Sequence, residues 1–378
     1  MRQHWDIFCT VVDNFGDIGV CWRLAKQLAH EHRKTVRLWI DDLASFSRIS
    51  PDIDPTAKRQ FVQGIEIFLW QTAFRAVEPA DVVIEAFACE LPEAYVLAML
   101  QPTRQPVWIN LEYLSAEPWV GQYHGLPSPH PRLPLTKTFF FPGFVPGTGG
   151  LLREKNLMAQ RLAFTNADEQ AFWRDKNLPQ RNAGELRISL FGYDNAPVDN
   201  LIAALSISTA PVFLIVPMGK LAKRILSLFG CATSQCAASI THERLTVRII
   251  PFMSQMEYDR LLWSCDVNFV RGEDSFVRTQ WAGKPFVWNI YPQHDTAHWK
   301  KLDAFLDLYT TDMPQAMAAA VRAMWSCWNG KAVLNTSIWM NFLSMRESLT
   351  QHNRNWSNRL MEQDDLASNL VRFAENKL

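Results

Sequence analysis

Short apolar runs alternate with helix-patterned segments along this chain, and the series occurs twice. The first series carries runs at 7–12 (IFCTVV), 36–40, 81–85, 107–111 and 138–141, the second at 187–191, 212–216, 246–250, 267–270 and 285–290. A nearly continuous apolar run suits a strand covered on both faces, and strand–loop–helix alternation is the grammar of a parallel sheet in an α/β domain. Helical spacing follows the first run, with Leu24, Ala25 and Leu28 on one face, and is expected over 256–264 and 276–282. Beyond about residue 311 the pattern is helical, ending in an amphipathic segment with Leu366, Leu370 and Phe373. A polar stretch at 178–185 interrupts the series and is the expected linker. A length of 378 residues corresponds to about 2.5 average domains, so two are expected, at 1–183 and from 184 onward.

Charge narrows the function classes. Lysine plus arginine number 38, as do aspartate plus glutamate, so the net charge is zero. That excludes nucleic-acid binding through a general excess of positive charge, and an acidic disordered chain. No apolar run is long enough to span a bilayer, and the first residues lack a signal-peptide pattern. The seven cysteines are scattered, and Cys231 and Cys236, the closest pair, fit no common zinc spacing. The expectation is a cytoplasmic protein with free thiols and no metal. With 15 Trp, 23 Phe and 7 Tyr, the chain has enough aromatic surface both to fill cores and to line a binding site.

Two loops after strand-like runs carry chemistry. The first reads Asp13-Asn14-Phe15-Gly16-Asp17-Ile18-Gly19, where a dinucleotide-binding domain would carry G-x-G-x-x-G. The full glycine set is absent and two carboxylates stand in its place. They would repel a pyrophosphate, but suit a cation or a group that must lose a proton. The purely structural alternative is that Asp17 or Gly19 caps a helix and Asp13 makes an Asx turn. The second loop ends a buried run in Arg271-Gly272-Glu273-Asp274-Ser275, with a helix expected after Ser275 as its N-cap. A helix N-terminus beside an arginine is an anion site, while Glu273 suits sugar hydroxyls. Phe191, Tyr193, Phe252, Gln255 and Tyr258 follow neighbouring strand ends, where rings can sandwich a base and an amide can read its edge. The second half therefore reads as a nucleotide or sugar-nucleotide binder with no D-x-D pair. The alternative is a capped helix bearing a surface Arg–Glu pair.

At these residues the chain resembles a known family. WDIFCTVVDNFGDIGVCWRLAKQLA, IEAFACELPE, INLEYLSAE and FVRGEDSFVRTQWAGKPFVWNIYPQ are similar to the elongation factor P maturation arginine rhamnosyltransferases, EarP, over essentially the whole chain. The resemblance implies a GT-B fold, two Rossmann-like domains facing across a cleft, with the last helix, 360–378, returning to complete the first domain. It implies metal-independent, inverting transfer of L-rhamnose from dTDP-β-L-rhamnose to an arginine of elongation factor P, which rescues polyproline-stalled ribosomes. No cofactor, nucleic acid or membrane is implied. By the same resemblance Asp17 is the general base, Asp13 orients the acceptor, and Glu273 contributes to activity. Phe191 and Phe252 flank thymine, and Tyr193, Gln255, Tyr258, Arg271, Glu273, Asp274 and Ser275 are donor contacts. Gly16 and Tyr291 join them, Tyr291 towards the sugar. A transferase for another sugar or acceptor, and a non-catalytic binder of a basic protein, remain the alternatives.

Overall fold

β-Branched and aromatic residues form the strands where the runs predict them, each series closing into its own sheet. The structure is a computed structural model that describes residues 3–13, 15–70, 74, 77–101, 105–231, 239–293 and 296–378. The first sheet comprises β1 (His4–Cys9), β2 (Thr35–Ile40), β3 (Arg59–Val62), β4 (Ile65–Leu69), β5 (Val82–Ala86), β6 (Val107–Leu111), β7 (Pro127–Pro129) and β8 (Thr136–Phe140). Its order is β3-β4-β2-β1-β5-β6-β8-β7. The second comprises β9 (Leu186–Leu190), β10 (Val212–Pro217), β11 (Ser239–His242), β12 (Leu245–Ile250), β13 (Val267–Arg271) and β14 (Phe286–Asn289), in the order β11-β12-β10-β9-β13-β14. Pairing is parallel except at the edge strands β3, β7 and β11.

In both sheets the first strand lies between the second strand of its series and a later one. β1 pairs with β2 on one side and β5 on the other, and β9 pairs likewise with β10 and β13. Strand order reverses there, which leaves a crevice at the carboxyl end of that strand, where open α/β sheets bind ligands. The Asp13–Asp17 loop follows β1 and Phe191 follows β9.

β1 ends at Cys9, earlier than the expected 12. The Val11 amide donates to Asp41 Oδ1 (2.9 Å) and the Val12 amide to Asp17 Oδ2 (2.8 Å), so neither serves the ladder. The strands absent from the sequence expectation are β3, β4, β7 and β11. β3 and β4 form a hairpin whose turn residues Gln63 and Gly64 are both left-handed (φ 49° and 80°). β7 reads Pro-Ser-Pro, and prolines without an N–H are tolerated only at such an edge.

The chain divides into two compact units, Met1–Lys155 with Leu360–Leu378, and Asn156–Arg359. The boundary expected at 183/184 thus falls at 155/156. The helix Asn166–Asp175 presents Phe172 and Trp173 to Phe213, Ile215 and Leu261, and so belongs to the second core. The polar stretch 178–185 is not a linker. Arg181 ties it to Glu169, Asp266 and the Ser264 carbonyl within the second unit.

The C-terminal segment is fastened to the first unit. Gln27 donates to Asp365 (2.8 Å), the Leu366 amide to the Leu151 carbonyl (3.0 Å), and Asn369 to the Gly149 carbonyl (3.0 Å). Phe373 lies 5.8 Å from Phe140, ring centre to ring centre. Among the described residues Cys9, Cys21, Cys89, Cys231, Cys265 and Cys327 are free thiols, and Cys236 lies outside them. No described helix is long and apolar enough to cross a membrane.

Gly150 makes this docking possible. Its φ is +75°, and a Cβ there would run into the Asp364 backbone carbonyl. Gly150→Ala is expected to cost roughly 1–3 kcal/mol of stability through overpacking. A urea titration measures that loss, and limited proteolysis is expected to release the segment Leu366–Lys377 first.

Candidate active site

The turn after β1 is organised by one carboxylate. Asp17 is the second residue of the helix Gly16–His30, and its Oδ2 reaches back to accept the amides of Val12 and Asp13, each at 2.8 Å. The Gly16 amide closes the turn onto the Asp13 carbonyl (2.8 Å). Asp17 therefore caps no helix. The N-cap position belongs to Phe15, without a side-chain bond. Asp13 and Asp17 are both buried, at 9% and 2% exposure. Burial raises the Asp17 carboxyl above its ordinary value; the two amides and the Tyr113 hydroxyl pull it down, and Asp41 pushes it up. Removal from water is the dominant influence, because a charged carboxylate loses hydration that these donors restore only in part.

The sequence reading missed Tyr113 and Asp41. Asp41 follows β2 and Tyr113 follows β6, and parallel pairing brings both strand ends to the β1 loop side of the sheet. The run INLEYLSAE contains Tyr113, but only the strand order reveals that it reaches Asp17.

The second unit assembles an aromatic and cationic group after β9, β12, β13 and β14. Phe191 and Phe252 meet edge to face at 6.1 Å and 83°, and Tyr258 lies 6.2 Å from Phe191. The Arg271 guanidinium sits 4.5 Å from the Phe191 ring centre and 4.6 Å from that of Tyr193. Tyr193 meets Tyr291 edge to face at 5.5 Å, and Tyr291 is 42% exposed. All of these residues were expected at the donor site, and the fold gathers them. Asn289, which the sequence did not suggest, fixes the turn by accepting the Tyr193 amide (2.8 Å).

The anion-type helix runs Asp274–Ala282, so Glu273, not Ser275, occupies its N-cap position. Ser275 lies inside the first turn, and its hydroxyl donates to the Arg271 carbonyl one turn back. Gly272 is left-handed (φ 62°), which lets β13 turn sharply into this helix, and Trp288 Nε1 holds the Gly272 carbonyl (3.0 Å). Gln255 opens the helix Gln255–Ser264 and donates to Asp274 (3.2 Å). A buried bidentate pair, Arg278 to Asp259 at 2.8 and 2.7 Å, locks the same two helices together. The result presents amide N–H groups, one guanidinium and several rings on one strand-end surface, a chemistry suited to a nucleoside diphosphate. Among the described residues no group of three or more His, Cys, Asp or Glu side chains is placed to share a metal ion.

Two parallel-dominated sheets, each with its site at a strand-order reversal, define a glycosyltransferase of the GT-B fold. MurG of Acinetobacter baumannii has that architecture and overlays on this chain with a TM-score of 0.51 at 12% identity, over 100% of both chains. The sequence model described as "Elongation-Factor P (EF-P) rhamnosyltransferase EarP" matches residues 5–375, and the chain belongs to that family. Relatives named protein-arginine rhamnosyltransferase share 47% identity in Pseudomonas putida, over 100% of both chains, and 44% in Pseudomonas aeruginosa, over 98% of both. A solved structure described as "Structural basis for EarP-mediated arginine glycosylation of translation elongation factor EF-P" is 36% identical and overlays over 100% of both chains with a TM-score of 0.72.

The raised Asp17 carboxyl has a consequence for stability. Because its folded value exceeds the ordinary 3.8, the neutral form favours the fold; that contribution is complete below about pH 4 and lost as pH rises through the folded value. Asp17→Asn cannot ionise, and its amide oxygen can still accept the Val12 and Asp13 amides. Its stability relative to wild type is expected to improve as pH rises from about 4 to 8, read from urea denaturation at several pH values. A difference independent of pH would contradict the raised value.

Proposed function

We propose that this protein transfers L-rhamnose from dTDP-β-L-rhamnose to an arginine side chain of elongation factor P, with inversion at the anomeric carbon and without a metal. The observation that carries this reading is Asp17: a buried carboxylate of raised basicity, held by two amides at the strand-order reversal of the first sheet. Family membership and the activity for which its relatives are named support the sugar class and acceptor.

Arginine is a poor nucleophile because its guanidinium stays protonated, with a pKa above ~12. In the proposed reaction Asp13 and Asp17 bind and orient this cation. One guanidinium nitrogen attacks the anomeric carbon as the bond to the dTDP oxygen breaks. The proton leaves that nitrogen for the Asp17 carboxylate, so the glycosylated guanidinium keeps its single positive charge. The sugar passes through an oxocarbenium-like transition state, by analogy with glycoside hydrolysis.

Donor binding is assigned to the second unit. Phe191 and Phe252 hold thymine, with Tyr258 and Gln255 beside them. Arg271, the Asp274 and Ser275 amides and Tyr193 receive the diphosphate, whose growing charge they stabilise as the bond breaks. Glu273 and Tyr291 are assigned to the sugar, and Gly16 of the first loop is assigned to the donor as well. An acceptor that is a translation elongation factor supports a cytoplasmic location for this reaction.

Incubation of elongation factor P with the protein and dTDP-rhamnose is expected to add one deoxyhexose to its intact mass, and UDP- and GDP-sugars are expected to add none. No mass change with any donor would leave a binder of basic proteins. A change with another donor would reassign the sugar. Arg271→Lys keeps the charge but loses the planar stack on Phe191 and Tyr193, and is expected to raise the donor KM roughly tenfold in the same assay.

A further inference from the structure

Tyr113 and Phe87 form a stacked pair beside Asp17 that the proposed chemistry has not used. Their rings lie 4.4 Å apart, 19° from parallel. Tyr113 follows β6 and Phe87 follows β5, the strand beside β1 in the sheet. The Phe87 amide donates to the Leu111 carbonyl (2.7 Å), which ties the two strand ends together.

The loop bearing Phe87 is strained. Phe87, Ala88 and Glu90, none of them glycine, are all left-handed, with φ of 57°, 52° and 49°. Such residues are strained and persist only where their surroundings over-determine them. Those surroundings are visible: the Cys89 amide donates to the Ala86 carbonyl (3.2 Å), and its thiol to the Phe8 carbonyl (3.3 Å). Strain in the loop after β5 has a positional result, since it sets the Phe87 ring and hence the Tyr113 ring stacked on it. The Tyr113 hydroxyl in turn donates to Asp17.

Asp17 Oδ2 already accepts two backbone amides. The other ionisable groups facing Asp17 are Asp41, Cys9 and its loop neighbour Asp13. Asp41 is held by the Val11 amide, and Cys9 is a neutral buried thiol. Tyr113 gives Asp17 a side-chain proton.

We infer that Tyr113 is a positioning residue for the transfer reaction: stacked on the strained Phe87, its hydroxyl fixes the rotation of the Asp17 carboxylate so that one oxygen lobe faces the incoming guanidinium. The inference rests on the proposed function of Asp17. It also sets the basicity of that carboxylate at a compromise. The hydroxyl bond favours the anion, while burial favours the neutral acid and so makes the carboxylate a better proton acceptor.

Tyr113→Phe keeps the ring and the stack and removes one hydroxyl, so it is measured against wild type by steady-state transfer to elongation factor P across pH 5 to 9. The expected result is a kcat lowered roughly tenfold, a KM for both substrates within about twofold, and an acid limb displaced to higher pH, because the anion loses a donor. Incorporation of 3-fluorotyrosine at position 113 strengthens the same donor without disturbing the fold, and is expected to move the acid limb to lower pH. A purely structural role for Tyr113 moves neither limb. Unchanged kcat and acid limb in Tyr113→Phe, or no downward shift with 3-fluorotyrosine, overturns the inference while wild type remains active. Absence of transfer by wild type overturns the functional reading itself.

Discussion

The reach of Asp17 back to the amides of Val12 and Asp13 is the constraint on which the first site depends. It ends β1 at Cys9, turns the chain at Gly16 and starts the helix Gly16–His30, all within a few residues. The carboxylate is buried there, and removal from water raises its basicity against the two amides, which lower it. A glycine-rich loop makes the comparable turn in dinucleotide-binding domains, with open amides aimed at phosphate. Here a carboxylate consumes those amides, which suits the strand end to a cation better than to a phosphate. One local exchange of hydrogen-bond partners thus changes the chemistry that the strand end offers.

The second unit uses the same topology for the opposite charge. After β13, left-handed Gly272 turns the chain into a helix that starts beside Arg271, with Glu273 at its N-cap making no side-chain cap bond. The zero net charge conceals this separation: acids at the strand-order reversal of one sheet, a guanidinium and helix terminus at that of the other. The buried Arg278–Asp259 pair holds Gln255 and Asp274 in reach of each other, and such a pair contributes geometry more than stability. The high aromatic content divides similarly. Phe191, Tyr193, Phe252 and Tyr258 gather around Arg271, while Trp325, Phe286, Phe305 and Tyr309 pack as core.

The parallel strands were legible because burial on both faces writes an uninterrupted apolar run, and β6 begins and ends where the run does. The edge strands were not. β3 and β11 are half exposed and carry polar residues, and β7 has two prolines in three positions, so their pairing comes from neighbours and not from pattern. The domain boundary was misplaced because 178–185 is polar like a linker, whereas Arg181 shows that its polarity serves an internal ion-pair network. At the sites, Asp13, Asp17 and the Arg271–Ser275 run were readable from their own loops. Tyr113, Asp41 and Asn289 were not, since each acts on a residue brought near only by strand order. Ser275 was misread as a cap because its residue type permits one, while the turn at Gly272 starts the helix two residues later, before Ser275 is reached.

The proposed function assigns Asp17 to proton removal from the acceptor and gives it no part in holding the donor. The direct test is the single-turnover rate of elongation factor P modification by Asp17→Asn, followed by intact mass as dTDP-rhamnose is varied. The account predicts a saturating rate lowered roughly 10²- to 10⁴-fold, with half-saturation at the wild-type donor concentration. A wild-type rate at saturation, or a large shift in the donor concentration needed, would contradict it.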